Sequence, residues 1–270
     1  MKKIPNIPPA SDNHPKKETT MNITYIFNSG FAVEADRCIL VFDYWMDPSN
    51  CIDQILKSPK PIYVFSSHFH EDHFTSEIFG WRDLHPNITY ILSKDILKRR
   101  RAHREDAEVW LAKGGEWSDE HIRVHATGSN DSGVSWIVEV EGKRLFHSGD
   151  LNNWYAHFLS EENGNNTVHS DEFNIDVDPV YEEKRYLGEL KDICKIARRF
   201  DVAFFPIDGR IGNGYTRGGR QFIQEFEVGL FVPMHFIMSG FESAHRMQEY
   251  TDAAGISFWS IAYEGETLQR

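Results

Sequence analysis

The segment Ser67-His68-Phe69-His70-Glu71-Asp72-His73-Phe74 constrains this chain more than any other, because it follows directly on the apolar run PIYVF at 61–65. A short run of that kind, rich in β-branched and aromatic residues, reads as a strand buried on both faces. Three histidines and a carboxylate within six residues are costly to place at the end of such a strand unless something uses them. Side chains two apart point the same way in an extended segment, so His68 and His70 can bind one ion together. Asp72 and His73 fall where the chain turns toward a helix and can face a second ion. Imidazole combined with carboxylate suits zinc, or iron and manganese where oxygen donors are more numerous. A solvated histidine-rich turn is the competing reading. It fits a lone histidine better than HxHxDH behind a buried strand.

The rest of the chain reads as alternating strands and helices. ITYIF, FAVEA and CILVF, separated by Asn28-Ser29-Gly30 and Asp36-Arg37, predict antiparallel hairpins at the front. A helix is expected over about 75–81, then strand NITYIL (87–92), then a helix from Lys94 that closes at Gly114-Gly115. HIRVHA, VSWIVEV and RLFHSGD form strand, strand, hairpin turn, strand. Residues 151–180 are polar and read as a surface excursion, and Leu187, Leu190, Ile193, Ala197 and Phe200 recur at helical spacing over 181–200. VAFFPID, a helix near 219–226, GLFVPMHF and SFWSIAY complete the chain. Antiparallel hairpins mixed with alternating strands and helices describe a mixed α/β sandwich, not a purely parallel sheet. Residues 1–20, with four prolines and no periodicity, are expected to be a disordered tail ahead of one domain over 21–270, and Met21 competes with Met1 as the start of translation.

Composition narrows the function classes. The 270 residues carry 29 Lys+Arg against 41 Asp+Glu, a net charge of −12, which argues against non-specific binding to a phosphate backbone. No stretch approaches the ~18 apolar residues of a membrane span. Three scattered cysteines make neither a disulfide framework nor a CxxC metal site, and the expected location is cytoplasmic. Lys98-Arg99-Arg100-Arg101, followed by Glu105, Asp106 and Glu108 on what reads as the same helix, is a salt-bridged solvated face rather than a nucleic-acid patch.

His68, His70, Asp72 and His73 match, position by position, the signature of the metallo-β-lactamase fold superfamily of metal-dependent hydrolases, which this chain resembles over about residues 21–263. The resemblance implies a four-layer αββα sandwich with a one- or two-metal site at one edge of two facing sheets. Further strand-end residues fall in the expected order. Asp43 is similar to the aspartate that supports the site from behind the ligands, Asp150 in Phe146-His147-Ser148-Gly149-Asp150 to the metal-bridging acid, and His235 to the last histidine. The implied cofactors are two divalent cations, zinc first, with Mn2+ or Fe2+ as alternatives. The implied chemistry is attack by an activated water on a small ester, lactone or phosphodiester-type substrate, with Asp72 as catalytic base. The nearest branch in character is the lactonase and phosphodiesterase-like one.

One departure matters. The superfamily supplies a third histidine to the first metal from the loop that here reads Ala126-Thr127-Gly128-Ser129-Asn130-Asp131-Ser132-Gly133. Asp131 is the substitute by charge and placement, and His125 is the alternative. An acid in that position shifts preference toward manganese or iron. His147 is expected to orient a ligand or pack in its strand. Asn152, Trp154, Tyr155, Arg210, Tyr215 and Arg217 are candidates to line the mouth and hold substrate. A nuclease of the same fold would need a basic exosite, and flavodiiron oxygen reductases carry Glu where His70 stands. A catalytically impaired metal-binding module rests only on the missing histidine. A small-molecule substrate and a homo-oligomeric state complete the expectations.

Overall fold

The computed structural model describes residues 20–159, 168–170 and 175–270. The expected tail lies outside the described residues except for Thr20. In the first sheet, β1 (Asn22–Phe27), β2 (Gly30–Glu34) and β3 (Ile39–Phe42) run antiparallel, and β4 (Ile62–Ser66), β5 (Ile88–Ser93) and β6 (Val109–Leu111) continue parallel from β3. In the second, β7 (Glu116–Ser118), β8 (Ile122–Gly128), β9 (Val134–Val140) and β10 (Lys143–His147) run antiparallel. A small separate hairpin, β11 (Val168–Ser170) with β12 (Ile175–Val177), precedes β13 (Arg199–Pro206), β14 (Glu227–Met234) and β15 (Ser257–Phe258), which continue parallel from β10. β16 (Thr267–Gln269) closes the first sheet against β1, so each large sheet has seven strands.

The period-two side-chain pattern sorts the apolar residues into three layers of core. Leu40, Phe42 and Phe65 from the first sheet meet Trp136, Val138, Leu145 and Phe204 from the second. Ile39, Val41, Ile62 and Val64 point the other way, onto Ile52, Ile78, Trp81 and Ile96. Ile137, Phe146, Ala203 and Phe205 bury against Tyr186, Leu190, Ile193 and Phe222. β3 and β4 read as unbroken apolar runs because both of their faces are covered. Short helices α1 (Ile52–Ile55) and α2 (Lys94–Lys98) with a 3-10 helix at Ser76–Asp83 lie on the first sheet. α3 (Pro179–Cys194) and α4 (Arg217–Glu225) lie on the second. α5 (Phe241–His245) and α6 (Gln248–Ala253) follow β14. The expected αββα sandwich is the observed fold. Among the described residues no helix is long and apolar enough to cross a membrane.

Two helix expectations are corrected. The helix opened by Lys94 stops at Lys98, and Arg100 turns the chain with φ 58°, because the residues beyond must return as β6 beside β5. Asp106 and Glu108 therefore do not share a helix with the basic run. Instead Arg99 lies 4.7 Å over the Phe69 ring and Arg101 pairs with Glu71 at 3.5 Å, so the run braces the histidine loop. α3 starts earlier than its periodicity suggests, where Asp178 caps Val180 and Tyr181 and Pro179 takes the first turn. It ends before Phe200, which belongs to β13 and packs beneath the helix.

Candidate metal centre

The parallel halves of the two sheets point their carboxyl ends at one edge, where open α/β sheets place their ligands. β3 delivers Asp43, β4 delivers Ser67 and His68, β10 delivers Asp150, β13 leads to Asp208 and β14 to His235. The backbone turns sharply there. Asp43 and His235 sit in the left-handed region at φ 42° and 59°, a conformation that costs about 1–3 kcal/mol and clusters at functional sites.

Two ligand groups result. Donor atoms of His68, His70, Asp131 and Asp150 lie within 4.8 Å of one another, and so do those of Asp72, His73 and His235. In the first group His68 Nε2 is 2.9 Å from His70 Nδ1 and 3.2 Å from Asp150 Oδ2, while Asp131 Oδ2 is 4.0 Å from His70 Nδ1. In the second, His235 Nε2 is 3.2 Å from Asp72 Oδ2, and His73 Nε2 is 3.5 Å from it. Asp150 joins the two, because its Oδ1 lies 3.0 Å from His73 Nε2 and 3.5 Å from His235 Nε2. His68 and His73 are fully buried, whereas the side chains of His70 and Asp131 are each 41% exposed and form the open side.

The hydrogen bonds behind the ligands set the imidazole tautomers. Asp43, fully buried, accepts from the Ser67 amide at 2.7 Å, from Ser67 Oγ at 2.6 Å and from His73 Nδ1 at 2.7 Å. With its proton committed to Asp43, Ser67 Oγ accepts from His68 Nδ1 at 3.0 Å. Asp208 Oδ2 accepts from His235 Nδ1 at 3.0 Å. Each of these three imidazoles thereby points its Nδ1 away from the cluster and its Nε2 toward it, so Nε2 is the nitrogen a metal would take on displacing any proton there.

The residues fit cations. Nε2 of His73 and Oδ1 of Asp150 are buried and close, yet they are not aligned to bond each other, and neither has another hydrogen-bond partner. Two buried polar atoms this close and without a hydrogen-bond partner are what two ligands of one ion present. Bonds of about 2.0–2.2 Å put neighbouring donors roughly 2.8–3.1 Å apart at right angles and roughly 3.3–3.6 Å apart in a tetrahedron, the range of most separations here. Charge agrees. Burial pulls His235 down, but Asp150, Asp208 and Asp72 overcome it and hold its imidazolium up to about 9. Burial likewise opposes ionisation of Asp150, but His73, His235 and His68 keep it far below the usual carboxylate range. Partial desolvation and then repulsion from Asp150 push Asp131 up. The acids around His73 and His235 favour a second proton on these two imidazoles, which marks a place where a cation would supply positive charge.

The remaining site candidates sort by contact. His147 is buried, stacks on Phe42 at 5.1 Å and contacts Ser29 O through Nε2 at 2.9 Å, so it ties the two sheets together behind Asp43. Trp154 sits at the centre, its ring 5.3 Å from His235 and its Nε1 donating to Asp150 O. Asn152 is buried, and its backbone N–H and C=O pair with the side chain of Asn130. Arg210 folds back as a fork onto Asp208, and Arg217 pairs with Glu183. Tyr215 donates its hydroxyl to Ser243 O. His125 lies on the helix-facing side of β8, opposite Ile137, 3.4 Å from Glu116, and belongs to neither ligand group. Asp208 and Asn28 were missed as site residues. Asp208 had the signal of Asp43 and Asp150, an acid just past a buried strand. Asn28, whose Nδ2 donates to Asp72 Oδ2 at 3.2 Å, sits in a turn far away in sequence and had none.

This architecture and this edge define the metallo-β-lactamase fold. Igni18, a metallo hydrolase from Ignicoccus hospitalis, superposes with a TM-score of 0.62 at 17% identity over 93% of this chain and 99% of its own. YhfI from Bacillus subtilis, a metallo-β-lactamase fold protein, does so at 0.58 and 9% over 94% and 100%. CmlA, a diiron β-hydroxylase from Streptomyces venezuelae, does so at 0.57 and 11% over 94% of this chain and 54% of its own. No protein-family model and no curated protein matches the sequence.

Proposed function

We propose that the protein is a metal-dependent hydrolase acting on a small ester, lactone or phosphodiester-type substrate. The observation that carries this is the pair of ligand groups joined through Asp150 at one open strand-end edge. Two divalent cations held there, zinc or the harder manganese and iron(II), would supply Lewis acidity and an activated water. His68, His70, Asp131 and Asp150 would hold one, and Asp72, His73, His235 and Asp150 the other. Asp43, Ser67 and Asp208 fix the imidazoles, so no reorganisation is needed when substrate arrives. Asp72, its side chain 32% exposed and steadied by Asn28, is the carboxylate placed to orient a water and take its proton. Trp154 walls the site beside His235.

A panel of lactones, phosphodiesters and thioesters tests the proposal. One class should turn over, and Asp72→Ala should lower kcat/KM on it by about 100-fold or more. No turnover on any class, or wild-type turnover by Asp72→Ala, would remove respectively the activity and the role given to Asp72.

A further inference from the structure

We propose that Asp131 makes the two halves of the centre chemically equal, each offering two imidazoles, one carboxylate of its own and one oxygen of Asp150, and that this set favours manganese(II) or iron(II). The inference deepens the two-metal reading above and rests on it. Its grounds are the placement of Asp131 and the way its loop is held.

The loop at 129–133 is fastened on both sides to segments that carry other ligands. Asn130, buried, donates Nδ2 to Asn152 O at 2.9 Å and accepts from the Asn152 amide on Oδ1 at 3.2 Å. Asn152 lies two residues beyond Asp150. At the other end the Val134 amide donates to Ser67 O at 3.0 Å. Gly133, at φ 65°, packs so closely that a Cβ would collide with Ser67 O and lie 2.5 Å from His68 Cβ. Asp131 is therefore held between the His68 and Asp150 segments. Its amide bonds Ser129 Oγ at 3.2 Å, and its carboxylate reaches to 4.0 Å from His70 Nδ1. The clamped loop sets the Asp131 carboxylate within 4.8 Å of the donor atoms of His68, His70 and Asp150.

The donor count then decides the metal class. With histidine at this place the first half would offer three nitrogens and the Asp150 oxygen, and three histidines are a set typical of catalytic zinc. With Asp131 it offers two nitrogens and two oxygens, as the second half does. Two histidines and one carboxylate with open positions occur with both zinc and non-haem iron(II), and a second carboxylate oxygen, here from Asp150, moves the preference toward iron(II) and manganese. Every nitrogen and oxygen site still binds zinc tightly, so the property to measure is the ratio of affinities, not the absolute affinity for zinc.

Metal-free protein is titrated with Mn2+ alone and with Zn2+ alone, and stoichiometry and Kd are read by calorimetry. Wild type should take two Mn2+ per chain. Asp131→Ala should keep one equivalent at wild-type affinity, which doubles as the control for folding, and weaken the other by about 10–100-fold or more. Asp131→His should keep two Zn2+ and widen the ratio of Mn2+ to Zn2+ dissociation constants by about tenfold or more. Asn130→Ala, a change of a positioning residue, should weaken one Mn2+ equivalent by about tenfold and spare the other. Two undiminished equivalents in Asp131→Ala, or an unchanged metal ratio in Asp131→His, overturns the inference while leaving a two-metal hydrolase standing. No binding of either metal by wild type overturns both.

Discussion

At the residue scale the centre depends on acids that never need to touch a cation. Asp43 takes three hydrogen bonds without exposing an atom, and Asp208 takes one from His235 and a fork from Arg210. An acceptor behind an imidazole fixes which nitrogen carries the proton, and removing it lets the ring turn or bind in the wrong tautomer. Asp208→Ala is expected to weaken one metal equivalent, that of the Asp72, His73 and His235 half, by about 10–100-fold. Arg210→Ala, which keeps the Asp208 carboxylate, should change it by no more than about threefold, the scale of an exposed ion pair. Metal titration of the two variants checks this, and equal losses would show that Asp208 orients the histidine only while Arg210 holds it. Asp208 could have been found from the sequence, since it ends a buried strand as Asp43 and Asp150 do. The pairing of Ser67 with Asp43 could not, because it links residues 24 apart through a sheet register.

At the element scale, close backbone approach sets the positions of the ligand loops. β9 starts against the end of β4 through Gly133, whose left-handed backbone and missing side chain let the two segments touch. Gly133→Ala is expected to lose roughly 2–4 kcal/mol, from the left-handed conformation and the collision with Ser67 O, and to weaken binding at the His68 half. Gly114→Ala is the control, with a similar φ of 82° and nothing within 4 Å of the added methyl. It should lose only the conformational part, about 1–2 kcal/mol. Urea unfolding of both variants measures the difference, and equal losses would mean that the β4–β9 contact relaxes freely. The early end of α2 is also an element-scale decision. Helix-forming residues continue past Lys98, but pairing of β6 with β5 takes them into the sheet.

For the whole molecule, the candidate ligand set would act as a cross-link. Asp72, His68, His70 and His73 come from the first sheet's loops, and Asp131, Asp150 and His235 from the second's. Cations bound there join the two sheets at one edge, and they stabilise only the folded chain. At free metal 100-fold above Kd each site contributes about 2.7 kcal/mol. Chelation is therefore expected to lower Tm by about 10 °C or more, and adding back Mn2+ or Zn2+ should restore it. Thermal unfolding with and without chelator reads this out. An unchanged Tm would mean that the cluster holds no cation in the purified protein.

By itself the sequence determined the layers and singled out the candidate ligands nearest one another in the chain. Period-two and helical patterning names which faces are buried, and HxHxDH stands out by spacing behind PIYVF, although its histidines meet on the bends and turn past the end of β4 and not on extended strand. What only the tertiary structure decided is what meets what across the sandwich. Asp131 against His70, Asn130 against Asn152, Asn28 against Asp72 and Asp208 against His235 each join segments that the sequence separates. Those meetings depend on strand order, register and the twist that brings both sheets' carboxyl ends to one edge. No local pattern encodes them, because they are properties of how the elements pack rather than of any one element.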